Sequence, residues 1–153
     1  MMKFFGLISF LVLLSSSLKT PDLETIRLNY EKGIENEKIC NEMIAILEKE
    51  KDNSATFLAY LGGYQSLHAT HVFNPISKLN TFKEGKKNIE QALLKAPENV
   101  EIRFIRLSVQ KKSPPFLGYN NRIQEDTDFI IKNKAKIQSE VLKKQVENLL
   151  MSE

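Results

Sequence analysis

The chain has 153 residues, of which 42% are apolar and 27% charged, and a formal net charge of +3. These proportions lie near the globular average and exclude a disordered or collagen-like chain. A single cysteine, Cys40, excludes an intramolecular disulfide framework and a cysteine-only zinc site.

The N-terminus departs from that average. Met1-Met2-Lys3 precedes a largely apolar run of eleven residues, Phe4 to Leu14, and then Ser15-Ser16-Ser17. A membrane-spanning helix needs about 20 apolar residues, so the run is short for an anchor. The basic start, apolar middle and small-residue end match a secretory signal peptide over residues 1–17, cleaved at about 17–20. A buried first helix would explain neither Lys3 nor the serines; retention as an anchor stays open. No cysteine closely follows the run, so an exported protein that is periplasmic or secreted, and not a lipoprotein, is predicted. Residues 21–153 are then one domain with no membrane span, large enough to bury a core without staples.

From residue 20 onward no segment alternates with period two, and the fold class is all-α, with six to seven helices. Thr20-Pro21-Asp22 reads as a helix start: a capping hydroxyl, then proline and an acidic first turn. Leu23, Ile26, Tyr30 and Ile34 follow at helical spacing, and a second helix carries Ile39, Met43, Ile46 and Leu47. Cys40 falls on that helix as a small apolar filler. Asp52-Asn53-Ser54 is a loop and cap, and a third helix is predicted from Ala55 to about Phe73, ahead of Asn74-Pro75. The fourth places Leu79, Phe82, Ile89, Leu93 and Ala96 on one stripe and stops at Pro97.

The fifth helix, about Glu98 to Lys111, is apolar on two faces. Val100, Phe104 and Leu107 form one, and Ile102, Ile105 and Val109 the other, so neighbours on both sides are expected. Two prolines and a glycine make Ser113–Asn120 a loop. Two last helices are predicted, around Arg122–Lys134 and Ser139–Leu150.

Helices joined by short turns suggest stacked antiparallel hairpins. The fourth helix resembles the second helix of a tetratricopeptide-type repeat: Gly85 at the small packing position, then Ile89, Ala92 and Pro97. Leu61-Gly62 is similar to the Leu-Gly pair of such a repeat's first helix. That pair normally precedes the small position by about twelve residues. Here Gly62 and Gly85 are 23 apart, so eleven extra residues lengthen the hairpin through Thr70 to Lys78. The resemblance covers residues 58–97 and implies a divergent helical-repeat protein that binds a protein or peptide. In general character the chain is also similar to small uncharacterised exported helical proteins of the Bacteroidetes, a likeness that implies no activity.

Several side chains are candidates for a site. His68 and His71 fall on one helical face, as a metal site requires, but no Asp or Glu lies nearby to complete a ligand set, and no metal or other cofactor is predicted. Tyr60, Tyr64, His68 and His71 form a line that could face a ligand; tyrosines that simply pack with their polar tips outward are the favoured reading. Arg103 and Arg106 need carboxylate partners, and Glu125-Asp126-Thr127-Asp128 is the nearest acidic run. They read either as an internal ion-pair network or as a clamp for an anionic ligand. The Pro114–Tyr119 loop, with Phe116 and Tyr119, either folds onto the core or offers an adhesive patch.

No phosphate-binding glycine loop and no Gly-x-Ser-x-Gly elbow occurs, and Cys40 has no histidine partner close in sequence. The lysine doublets at 86–87, 111–112 and 143–144 are mixed with glutamates, which disfavours nucleic acid as a partner. A non-enzymatic exported binding or scaffold protein for a protein or peptide in the cell envelope is the leading expectation. The alternative is a periplasmic small-ligand or metal-binding protein using His68, His71 and Arg103.

Overall fold

A computed structural model describes residues 22–50 and 54–152. The predicted signal segment therefore lies outside the described residues, as do Thr20, Pro21, Asp52 and Asn53. Seven α-helices and no strand occur among the described residues: α1 (Leu23–Glu35), α2 (Glu37–Lys49), α3 (Ala55–His68), α4 (Pro75–Lys95), α5 (Val100–Lys112), α6 (Ile123–Asn133) and α7 (Glu140–Met151). None of them is long and apolar enough to cross a membrane.

Local chemistry sets most helix starts. Asp22, Asn36, Ser54, Asn74, Asn99 and Ser139 each accept a hydrogen bond from a first-turn backbone N–H, the work of an N-cap. The cap of α1 is Asp22, which accepts from Thr25 N at 2.8 Å, where sequence reading had favoured Thr20. The third helix ends at His68, five residues short of the expected Phe73. There the chain tightens: Thr70 N and His71 N bond back to Leu67 O and His68 O, and the Thr70 hydroxyl also donates to Leu67 O. A β-branched residue that bonds its own backbone competes with helix continuation.

The helices pair as antiparallel hairpins, α1–α2, α3–α4 and α5–α6, with α1, α3, α5 and α7 in contact one after another. Moving from Arg27 to Tyr30 on α1 moves the partner from Glu101 to Ser108 on α5, so these two helices run parallel. Ser139 and Gln145 of α7 follow the same order, bonding Glu24 and Arg27 of α1. The expected two-faced burial of α5 is present: Ile102, Phe104, Ile105, Leu107 and Val109 are all buried.

The tightest packing is between α3 and α4. A Cβ built on Gly62 would lie 2.5 Å from Gly85 O and 2.8 Å from the Ile89 side chain, so the two backbones meet almost in contact. Only residues without a side chain allow that approach. Around it, Tyr30 is ringed edge-on by Tyr60, Tyr64 and Phe104, with centroids 5.3–6.2 Å apart. The buried phenols are satisfied: Tyr64 donates to Ile26 O and Tyr60 to Glu101. Ser108 gives its proton to Ile105 O, so Tyr30 donates to the Ser108 oxygen.

Candidate functional site

The α3–α4 hairpin has arms of unequal length, 14 residues against 21. The excess seven residues carry α4 about 10 Å beyond its partner at 1.5 Å per residue. From Phe73 to Asn80 every residue is exposed, because α3 has ended and offers nothing to pack against. Leu79, expected on the buried stripe, is consequently 37% exposed, whereas Phe82, one turn later, is buried. The overhang faces the Pro114–Leu117 loop, and between them lies a groove of about 480 Å³.

Ile34 at the end of α1, Leu67 of α3, Leu79 and Phe82 of α4, Val109 of α5, and Phe116 with Leu117 of the loop supply its apolar walls. Pro115–Leu117 forms one 3-10 turn, closed by Gly118 at φ 62°, a left-handed position suited to glycine. Three hydroxyls line the groove without offering it a proton. Ser66 donates to Gly62 O, Thr70 to Leu67 O and Ser113 to Val109 O, at 2.6–2.8 Å. The charged lining groups are Lys78 and Lys112. Among the described residues neither makes an ion pair. Both side chains are exposed at the groove's edge, and partial desolvation of the Lys112 ammonium lowers it from its ordinary range, opposed in part by the charge of Glu31. Of the lining residues, Phe116 carries the apolar surface outward, at 85% exposure; Ile76 and Phe73, at 73% and 100%, are exposed outside the lining.

The sequence candidates fall on both sides of this division. Tyr60 and Tyr64 are fully buried, so the proposed ligand-facing strip points into the core. His71 Nε2 donates to Gly33 O at 3.3 Å, tying the turn after α3 to the end of α1. His68 lies beside it, ring centroids 6.4 Å apart, with a buried Nδ1 that has no hydrogen-bond partner among the described residues. No group of three or more His, Cys, Asp or Glu side chains able to hold a metal occurs among the described residues. Cys40 is buried and donates to Tyr64 O; burial pushes its thiol up to about 12, away from nucleophilic use.

The arginine pair is committed within the fold. The fully buried Asp126 carboxylate accepts from Arg106 Nε and Nη2 at 2.7 Å, from Gln110 at 2.7 Å and from Arg103 at 3.0 Å. Arg103 also donates to Glu125 at 2.7 Å, and its hydrogen bond holds the Glu125 carboxyl below the usual range. The ligand-clamp reading loses its free donors to this network, while Asp128 takes only a bond from Gln124. A neighbouring polar cleft of about 350 Å³ is lined by Lys86, Glu90, Arg106, Tyr119, Arg122 and Glu125. Most of its charges are matched internally: Arg106 and Tyr119 both bond Glu90 and Arg122 bonds Glu125, while the Lys86 ammonium lies over the Tyr119 ring, 4.8 Å from its centroid.

The two loop aromatics part company. Tyr119 is buried, donating to Glu90 at 2.7 Å and packing edge-on to Phe82, so it belongs to the core and not to an adhesive patch. Phe116 alone stands out on the surface of the loop. Sequence reasoning missed Leu79, Phe82, Lys78 and Lys112 as parts of one place. The signal available was the eleven-residue excess in the hairpin, which is where the overhang arises. Also missed was a second ion-pair cluster, in which Glu101 accepts from Arg27 Nε and Nη2 and from Tyr60, each at 2.7 Å.

Compared with family models, curated proteins and solved structures, the chain finds no match in any of the three. The likeness to a helical repeat accordingly rests on the residues of the α3–α4 hairpin themselves.

Proposed function

We propose that the chain is a non-enzymatic helical binding protein that takes an apolar segment of a partner protein or peptide into the groove between the α4 overhang and the Pro114–Leu117 loop. The observation carrying this reading is the coincidence of concavity with exposed apolar surface. A groove of about 480 Å³ is lined by Phe116 at 85% and Leu79 at 37% exposure, side chains that cost free energy while left in water. Groove size and apolar walls fit the general form of binding sites. The Met1–Ser17 pattern further supports export to the periplasm or beyond, with the partner in the envelope.

A photo-reactive phenylalanine analogue placed at 116, and separately at 79, in the native host tests the site. Leu94, 83% exposed on the far half of α4, serves as the control position. Cross-linking to one and the same protein from 116 and 79, and not from 94, is expected; equal products from 94, or none from 116, would refute the groove. Cell fractionation with N-terminal sequencing tests export. A mature chain starting near residue 18 in the envelope fraction is expected, and an intact Met1 in the cytosol contradicts it.

A further inference from the structure

Building on the groove as the binding site, we propose that its occupant is an amphipathic α-helix of a partner protein, bearing acidic residues beside its apolar face. Three observations select this chemistry. An extended peptide brings unpaired backbone N–H and C=O groups that must find partners. Apart from the Pro114–Leu117 loop the walls are helical, and the hydroxyls of Ser66, Thr70 and Ser113 already donate to backbone carbonyls of α3 and α5. A helix satisfies its own backbone and brings only side chains, so it suits walls that offer no hydrogen-bond protons of their own besides the two ammoniums.

The apolar surface also exceeds the cavity. Leu79 on one bank and Phe116 on the other stay exposed, and a helix lying along the groove covers such banks while its anchors fill the interior. Charge supplies the third constraint. The charged lining groups are both cationic, Lys78 and Lys112, and among the described residues the carboxylate acting on Lys112 is the distant-acting Glu31. Acidic side chains on the partner compensate two exposed lining ammoniums that make no ion pair among the described residues, and basic ones are repelled.

Selection of a random 16-residue display library on the purified protein tests the class of occupant. Recovered peptides are expected to carry apolar residues at i, i+3 or i+4, and i+7 flanked by Asp or Glu. They should lose binding when a central proline is introduced. A Lys78→Glu/Lys112→Glu double variant should weaken the selected peptides about tenfold and favour their Lys-for-Glu counterparts. Phe116→Asp should weaken binding by about 30-fold or more with unchanged helical circular dichroism. Recovered peptides that need Phe116 but are proline-tolerant, or indifferent to the lysine reversal, would overturn the acidic-helix proposal and leave the groove standing as a site. The same holds if palmitate binds in a Phe116-dependent way and displaces every peptide. No recovery, with no binding of palmitate, or recovery indifferent to Phe116→Asp, would overturn the groove reading as well.

Discussion

The two ends of the α3–α4 hairpin are built from the same helices and behave as opposites. At Gly62 and Gly85 the backbones approach until no methyl fits between them; at the connection α4 runs on alone and leaves Phe73–Asn80 in solvent. Close packing at the first end fixes the angle and separation of the helices. The second end inherits that geometry as a ledge over a groove. What separates the close-packed half from the open half is the mismatch in arm length, 14 residues against 21, more than any difference in composition.

Substitutions can break this contrast, and the largest effect should lie on the closed side. Asp126→Ala strips four donors of their acceptor and leaves Arg106 buried without its main partner. A loss of about 3–5 kcal/mol in denaturant unfolding is expected, the scale for orphaning a buried charge. Gly62→Ala should cost about 2–3 kcal/mol, because the atoms it meets include Gly85 O and Ile89 N, backbone that yields only if the helices part. A near-neutral Gly62→Ala would show that the hairpin is not in close contact there.

Acid should act on the closed side too. The Glu125 and Glu24 carboxyls are held below the ordinary value, first by hydrogen bonds from Arg103 and Arg27 respectively. The native state therefore binds fewer protons than the unfolded chain across that interval. The contribution is complete above the ordinary glutamate pKa of about 4.3 and drains away as pH falls below it. Unfolding midpoints should drop from that point downward, and Glu125→Gln should flatten part of the slope. Both carboxylates are more than one-third exposed, so the effect is modest and shrinks in salt. The smallest change belongs to the open side: Phe116→Ser should alter stability by no more than about 0.5 kcal/mol while weakening the proposed partner binding.

Much of the closed half was legible in the sequence. Pro97 and the Gly62/Gly85 pair carry their meaning locally, and Arg103 and Arg106 named their own need for the acidic run at 125–126. The two apolar faces of α5 likewise announced a sandwiched helix. Tyr60 and Tyr64 were ambiguous because α3 is apolar around most of its circumference, so periodicity does not distinguish its inner from its outer face. Arg27 and Glu101 sit 74 residues apart, a separation at which charge pattern is silent. The groove was hidden for a related reason. Its walls come from α1, α3, α4, α5 and the following loop, and only their assembly turns an insertion of extra residues into a ledge.

Amide hydrogen exchange along α4 reads the division between the two halves directly. Amides from Leu79 to Thr81 should exchange about a hundredfold or more faster than those from Ile89 to Leu93, which should approach the protection of global unfolding. Uniform protection along the whole of α4 would contradict a helix that is clamped at one end and open over a groove at the other.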